Sequence, residues 1–359
     1  MNPPSTPPRR PVIGWDLGGV HVKAALVVDG RVRAVVQAPC PLWRGLAALD
    51  ETFSRLPDWV RTEADHAVTM TGELTDCFAD RTEGVAQLSA WAETHLRGSV
   101  RLYGGRAGFL TPDVAEAATP DIASANWHAT AALVGRHVGT ALLVDIGSTT
   151  ADLIPIVGGA PAARGYSDAE RLETGELVYS GAVRTPLVAL CDHAPFGGRR
   201  TALMAEYFAT TADAHRLTGA LAEAADQQDS ADLKGKSIAE TEIRLARMIG
   251  RDRSEGTPDA WRALAAHFAE RQLRALHDAA AILLSREDVG ADAPLVVCGA
   301  GRFLAERLAA RLGRPTRALT DLIAGRLDGG DSEWVSTCGP AVAVGLLASD
   351  DLDLERRRA

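Results

Sequence analysis

This 359-residue chain has little that would tie it to a membrane, to nucleic acid or to a disulfide framework. Its five cysteines, Cys40, Cys77, Cys191, Cys298 and Cys338, form no close pair, which excludes the spacing of a zinc ribbon and fits a reducing cytoplasm. No apolar run is long enough to span a bilayer, and residues 1–11 are rich in Pro without the apolar core of a signal peptide. They read as a disordered tail, and residues 349–359, which close on Glu355-Arg356-Arg357-Arg358-Ala359, read as a solvated, frayed tail. Basic residues are in deficit, 38 against 47 acidic, so a basic stripe for nucleic acid is not expected. What remains, with 46% hydrophobic and 24% charged residues, is an ordinary globular composition over a length that favours two compact domains or one large one.

Against that background two short loops stand out. Each follows an apolar β-type run and carries Asp-x-Gly: Asp16-Leu17-Gly18-Gly19 and Asp145-Ile146-Gly147-Ser148. Each leads into a second β-type run, Val22–Val28 and Asp152–Val157, so each reads as a hairpin with a Gly turn. Glycine there lets backbone N–H groups approach an anion closely. The leading Asp does not bind phosphate directly but is suited to hold Mg²⁺ beside it. One such loop is weak evidence; two, about 130 residues apart, predict a duplicated domain around a polyphosphate.

The coarse pattern agrees. Val12–Leu17, Val22–Val28 and Val32–Gln37 read as a three-stranded meander, followed by helix Leu42–Leu56, strand His66–Thr71, helix Glu83–Leu96 and strand Val100–Tyr103. Asp121–His137 and Gly339–Leu347 read as helices dense in small residues, either tightly packed in a core or crossing at a hinge. Strand Leu295–Cys298 ends in Gly299-Ala300-Gly301 before helix Arg302–Leu312. Between lies an insert over about 163–293, polar at Tyr166–Ala189, then helical at Ala202–Thr211, Ser237–Ile249 and Ala260–Ser285. Its acidic segment Glu223–Asp232 reads as a mobile loop.

These blocks, taken in order, resemble the acetate-kinase/sugar-kinase/Hsp70/actin superfamily. Asp16–Gly19 is similar to its first phosphate motif, Asp145–Thr150 to its second, and Cys298-Gly299-Ala300-Gly301 to its adenosine motif. Within it, DIGSTTADLIPI resembles the hydantoinase/oxoprolinase branch. The strings ASANWHATA, ETGELVYSGAVRTPL, AEYFATTADAHRLTG and RLARMIGRD resemble compact members linked to tetrahydromethanopterin-dependent one-carbon metabolism. One departure is His21, where the superfamily carries Thr or Asn. The resemblance implies an α/β fold of two ribonuclease-H-like domains flanking a phosphate-binding cleft. The first would span 11–138 with helix 339–348 packing back on it, and the second 139–338 with a mostly helical insert. It also implies condensation of an aminomethylfuran-methyl diphosphate with γ-glutamyltyramine in methanofuran or methylofuran biosynthesis, diphosphate departing. An ATP-dependent small-molecule kinase or a hydantoinase-like amidohydrolase is the competing reading, and a non-enzymatic nucleotide-dependent regulator ranks last.

The residues that would carry the chemistry follow. Asp16 and Asp145 are candidate Mg²⁺ holders, or turn-forming aspartates. Gly18, Gly19, Gly147, Ser148, Thr149 and Thr150, with Gly299 and Gly301, are candidate phosphate contacts. Lys23 would neutralise a leaving diphosphate, or is an exposed strand lysine. Glu176 would accept a phenolic proton and Arg184 would bind phosphate or the glutamyl carboxylates; a surface ion pair is as good a reading for either. Asn126, Arg171 and Tyr179 are candidate substrate contacts, Asp152 would orient Thr149, and His128 reads as structural. The expected cofactor is Mg²⁺, with ATP not required. The expected partners are small molecules, neither nucleic acid nor membrane, with a homo-oligomer left open.

Overall fold

A computed structural model describes residues 10–328 and 332–358; the expected tail over residues 1–9 lies outside them. The chain divides into two compact units. The first takes residues up to Val138, Gly159–Pro161 and Leu319 onward; the second takes Gly139–Gly158 and Ala162–Ala318.

The first unit is built on strands β1 (Val12–Leu17), β2 (His21–Val28), β3 (Arg31–Pro39), β4 (Ala64–Met70), β5 (Gly98–Tyr103) and β6 (Phe109–Leu110), in sheet order β3-β2-β1-β4-β5-β6. Asp29 and Gly30 turn the chain between β2 and β3 with φ of 51° and 71°, which only Gly, Asn and Asp adopt cheaply. β1 pairs antiparallel with β2 and parallel with β4. It is therefore buried on both faces, as its unbroken run VIGWDL requires. One face packs against helices α1 (Leu46–Arg55) and α2 (Arg81–His95), through Trp15, Phe53 and Trp91.

The predicted helix Asp121–His137 is instead two: α3 (Thr119–Ile122) and α4 (Asn126–Gly135), broken at Ser124, whose φ is +53°. Propensity could not show the break, because Ser124 is held by a tertiary bond, its hydroxyl donating to buried Glu73 at 2.8 Å. The stretch Leu42–Leu56 is likewise broken, at Gly45, where φ is 106°.

In the second unit β7 (Thr140–Ile146) and β8 (Ala151–Val157) form the second hairpin, followed by β9 (Ala160–Pro161), which belongs to the first unit. Helix α5 (Asp168–Thr174) and strand β10 (Leu177–Val178) come next, then the β11 (His193–Phe196)–β12 (Arg199–Ala202) hairpin. Helices α6 (Thr211–Leu217), α7 (Ile238–Met248) and α8 (Pro258–Leu284) complete the insert. Strand β13 (Leu295–Cys298), helix α9 (Arg302–Leu312) and β14 (Thr316–Ala318) end the unit, in sheet order β10-β8-β7-β13-β14. The chain then adds α10 (Leu319–Leu322), α11 (Ser332–Thr337) and α12 (Gly339–Arg358) to the first unit.

Several sequence expectations are corrected. The second unit ends at Ala318 rather than at 338, because Arg31 donates to the carbonyls of Gly325 and Leu327 and Arg326 to that of Gly30, tying the last segment to the first unit. Residues 349–358 are helix, not tail, pinned by Arg101 on both carboxylate oxygens of Glu355 and by Arg136 and Arg326 on Asp350. Of the two readings of α12, core packing holds, its small residues lying close on a strand: a Cβ on Gly14 of β1 would lie 2.1 Å from the Ala341 carbonyl oxygen and 2.6 Å from the Gly345 nitrogen. Ala202–Thr211 is a strand end and a loop, since Thr210 bridges Pro186 and caps α6. The acidic segment, expected as a mobile loop, is tied down by ion pairs: Asp226 pairs with Arg216 and Lys236, and Asp232 with Arg247 and Arg244, the last fully buried. No helix among the described residues is long and apolar enough to cross a membrane.

Candidate functional site

In the first unit the Gly18 N–H closes the β1–β2 turn on the His21 carbonyl at 3.0 Å. Asp16, 2% exposed, sits at the end of β1 facing Lys23 in register on β2. One carboxylate oxygen, Oδ2, accepts from Lys23 Nζ at 3.2 Å; the other, Oδ1, is buried and has no hydrogen-bond partner. A buried carboxylate oxygen left unsatisfied is costly, and a metal ion or its water supplies what it lacks. Among the described residues no three His, Cys, Asp or Glu gather to enclose a metal. Asp16 therefore fits Mg²⁺ in its usual setting, one carboxylate with waters and phosphate oxygens completing the shell.

Sequence reading missed the segment beside this loop. Thr71 and Gly72, directly after β4, both donate their N–H to the Leu17 carbonyl at 3.0 Å. A Cβ on Gly18 would lie 3.3 Å from Thr71 Oγ1, and one on Gly19 would lie 2.5 Å from Thr75. Glu73 follows, wholly buried under the Ser124 hydroxyl. The signal available was Thr-Gly-Glu at the carboxyl end of a parallel strand next to β1. Asn126 stands half-buried in the first turn of α4. His128 is a core histidine: its Nδ1 meets the Tyr103 hydroxyl at 2.9 Å, and burial, helped by nearby Arg106, lowers its pKa to about 4.

In the second unit the Gly147 N–H donates to the Thr150 carbonyl at 2.9 Å, leaving Ser148, Thr149 and Thr150 half-exposed on the loop between β7 and β8. Asp145 ends β7, 7% exposed, opposite Cys298 of β13. The glycines after β13 are packed onto this loop. Gly299 has φ of +86°, and its Cβ would fall 2.3 Å from the Ile146 carbonyl oxygen and 2.5 Å from Asp145 Oδ1. Gly301 donates its N–H to the Ile146 carbonyl at 2.8 Å and caps α9. Only glycine fits the approach at Gly299, so the turn after β13 is packed against Ile146 and Asp145. Arg184 reaches the loop, its Nη1 donating to Thr149 Oγ1 at 3.4 Å.

Glu176 and Arg171 are not available to a ligand in their predicted roles. Glu176 is fully buried, and its carboxylate accepts from the Arg164 and Gly165 N–H groups, Thr174 Oγ1 and Arg286. A carboxylate so saturated and shielded cannot take a proton from a substrate phenol. Arg171 is 2% exposed and spent on Asp152 at 2.6 Å and Asp168 at 3.2 Å. Asp152 is thereby committed to Arg171 rather than to orienting Thr149. Tyr179 is 68% exposed beyond β10.

A (4-{4-[2-(gamma-L-glutamylamino)ethyl]phenoxymethyl}furan-2-yl)methanamine synthase from Methanocaldococcus jannaschii is 32% identical over 244 residues, covering 67% of this chain and 72% of that protein. The synthase of the same name from Methanococcus vannielii is 37% identical over 118 residues, 33% of this chain and 53% of its own length. Nucleotide-free acetone carboxylase superposes with a TM-score of 0.56 at 11% identity, covering 94% of this chain and 70% of its own, a likeness of fold. Residues 65–322 match the family described as hydantoinase/oxoprolinase. The chain belongs to the hydantoinase/oxoprolinase family.

Proposed function

We propose that this protein condenses an aminomethylfuran-methyl diphosphate with γ-glutamyltyramine, forming an aryl ether and releasing diphosphate. The observation that supports it most is the second-unit loop: Ser148 and Thr149 half-exposed, the Arg184 guanidinium on Thr149, in a chain related to a synthase named for that ether. The C–O bond from the furfuryl carbon to diphosphate breaks with its electron pair going to diphosphate. The phenol oxygen then bonds the carbon and gives up its proton to the departed diphosphate. The ring oxygen stabilises the carbocation, so the protein's task is to hold the departing negative charge. Loop N–H groups, the Ser148 and Thr149 hydroxyls and Arg184 do so in the second unit. Mg²⁺ held by Asp145 would neutralise the diphosphate beside that loop, and in the first unit Asp16, with Lys23 on its other oxygen, is itself a candidate Mg²⁺ holder. Glu176 is not the base.

The competing reading, an ATP-dependent kinase or amidohydrolase, is favoured by one feature, the Gly299-Ala300-Gly301 turn packed against Asp145. The experiment is direct. With both substrates and Mg²⁺ but no ATP, diphosphate and ether should appear together, and the furfuryl monophosphate should react poorly. Product that requires ATP, with ADP accumulating in step, would overturn the proposal.

A further inference from the structure

The loop Gly147–Thr150 is held by more than its own hairpin. A strap, Ser180–Thr185, lies along it. The Ala182 N–H donates to the Gly147 carbonyl at 2.9 Å, and the Val183 and Arg184 N–H groups share the Ser148 carbonyl at 3.1 and 2.9 Å. Gly181 presses closest, since a Cβ there would fall 2.4 Å from the Ser148 carbonyl carbon and from the Thr149 nitrogen.

The strap is in turn anchored from beneath. Gln272, in the middle of α8, is fully buried. Its Nε2 donates to the Gly181 carbonyl at 2.8 Å and to Ser180 Oγ at 2.9 Å. Thr211 Oγ1 donates to the same Gly181 carbonyl at 2.9 Å, and Thr185 Oγ1 accepts the Gly181 N–H at 2.9 Å. With both amide hydrogens directed at the strap, Gln272 Oε1 is left to accept from His215 Nε2 at 2.7 Å. That fixes the proton of His215 on Nε2 and leaves its Nδ1 buried without a partner. Burial holds this imidazole neutral, with its pKa lowered to about 4. A buried amide among Phe268, Leu273 and Leu276 is costly unless its bonds are made. Here they are made to the piece of chain that backs the anion loop.

We propose that Gln272 is a positioning residue for the anion: it fixes Gly181, Gly181 fixes Ser148 and Thr149, and His215 fixes Gln272. The inference rests on the reading of this loop as the diphosphate cradle. Three variants of the full chain test it: Gln272→Leu, Thr211→Val and Thr211→Ser. The probes are calorimetric titration with Mg²⁺ and inorganic diphosphate, and hydrogen–deuterium exchange without ligand. Gln272→Leu should weaken diphosphate binding about tenfold, the effect of losing one to two buried hydrogen bonds. Exchange of the strap amides 182–184 should quicken while α8 amides keep their rates. The isosteric Thr211→Val should do the same to a smaller degree, and Thr211→Ser, which keeps the hydroxyl, should bind as the parent does. If Gln272→Leu does not fold, Thr211→Val carries the test. Unchanged binding and unchanged strap exchange would overturn the proposal. So would a uniform rise in exchange throughout the unit, which would make the residues merely stabilising. If the parent protein binds no diphosphate yet the strap amides still respond to Gln272→Leu, the strap linkage stands and the diphosphate reading fails.

Discussion

Replacing Gly181 with Ala isolates the contact between strap and loop. The φ of Gly181 lies outside the left-handed region, so alanine costs nothing in backbone strain there. Its methyl, however, would meet the Ser148 carbonyl carbon at 2.4 Å, the Thr149 nitrogen at 2.4 Å and the Ser148 oxygen at 2.5 Å. All three are backbone atoms, and no rotamer change relieves them. Reaching an ordinary carbon contact near 3.5 Å requires about 1 Å of separation. The cost of overpacking is about 1–3 kcal/mol. The three N–H bonds from Ala182, Val183 and Arg184 stretch as well, at about 0.5–1.5 kcal/mol for each one lost. A total near 3 kcal/mol should lower the unfolding midpoint by roughly 6–12 °C in a unit of this size. A 1 Å displacement of the groups that hold the leaving diphosphate should cost turnover about 100-fold. Scanning calorimetry and a diphosphate-release assay measure the two effects. Gly139→Ala is the control, because a Cβ there meets nothing within 4 Å. A Gly181→Ala protein that melts within about 2 °C of the parent and turns over normally would refute the reasoning.

Two further outcomes follow from the site and the core. Asp16→Asn should keep the fold, by far-UV circular dichroism, yet lose Mg²⁺-dependent turnover by at least about 100-fold, since the buried oxygen Oδ1 has no other partner and an amide is a poor ligand; near-normal turnover would remove Asp16 from the site. His128 and His215 both have a pKa lowered to about 4 by burial, so the unfolded chain binds their protons more readily than the folded one. Their contribution is whole above about pH 6.5 and is lost as pH falls towards 4. The unfolding midpoint should drop over that window, and neither ring should titrate near 6.5 when followed by NMR.

The hairpins were legible because alternation, Asp-x-Gly turns and β-branched runs are local properties of the chain. β1 and β13 fall where the apolar runs predict, and so does α9. The ordered motifs carried the family, but that Gly299 packs on Ile146 and Asp145 was not legible, because the contact joins segments distant in sequence. Polar residues of the insert were not legible. Glu176, Arg171 and Arg184 stand in one polar stretch, yet the first two are buried in bonds to protein and only Arg184 reaches the loop. Nothing in a sequence states which partner a charge will meet, because the partners of Glu176 include Arg286, more than a hundred residues away.

The sequence by itself determined the paired Asp-x-Gly hairpins, the α/β class and the family, since each rests on short-range spacing. Only the tertiary structure decided that Ser124 breaks a helix, that Thr71–Glu73 lies beside the first loop, and that Gln272 reaches Gly181. It likewise decided that residues 349–358 are pinned helix and not tail. Each of these depends on a bond between residues distant in sequence, and the geometry of such a bond exists only once the sheets and helices that carry the two ends have packed.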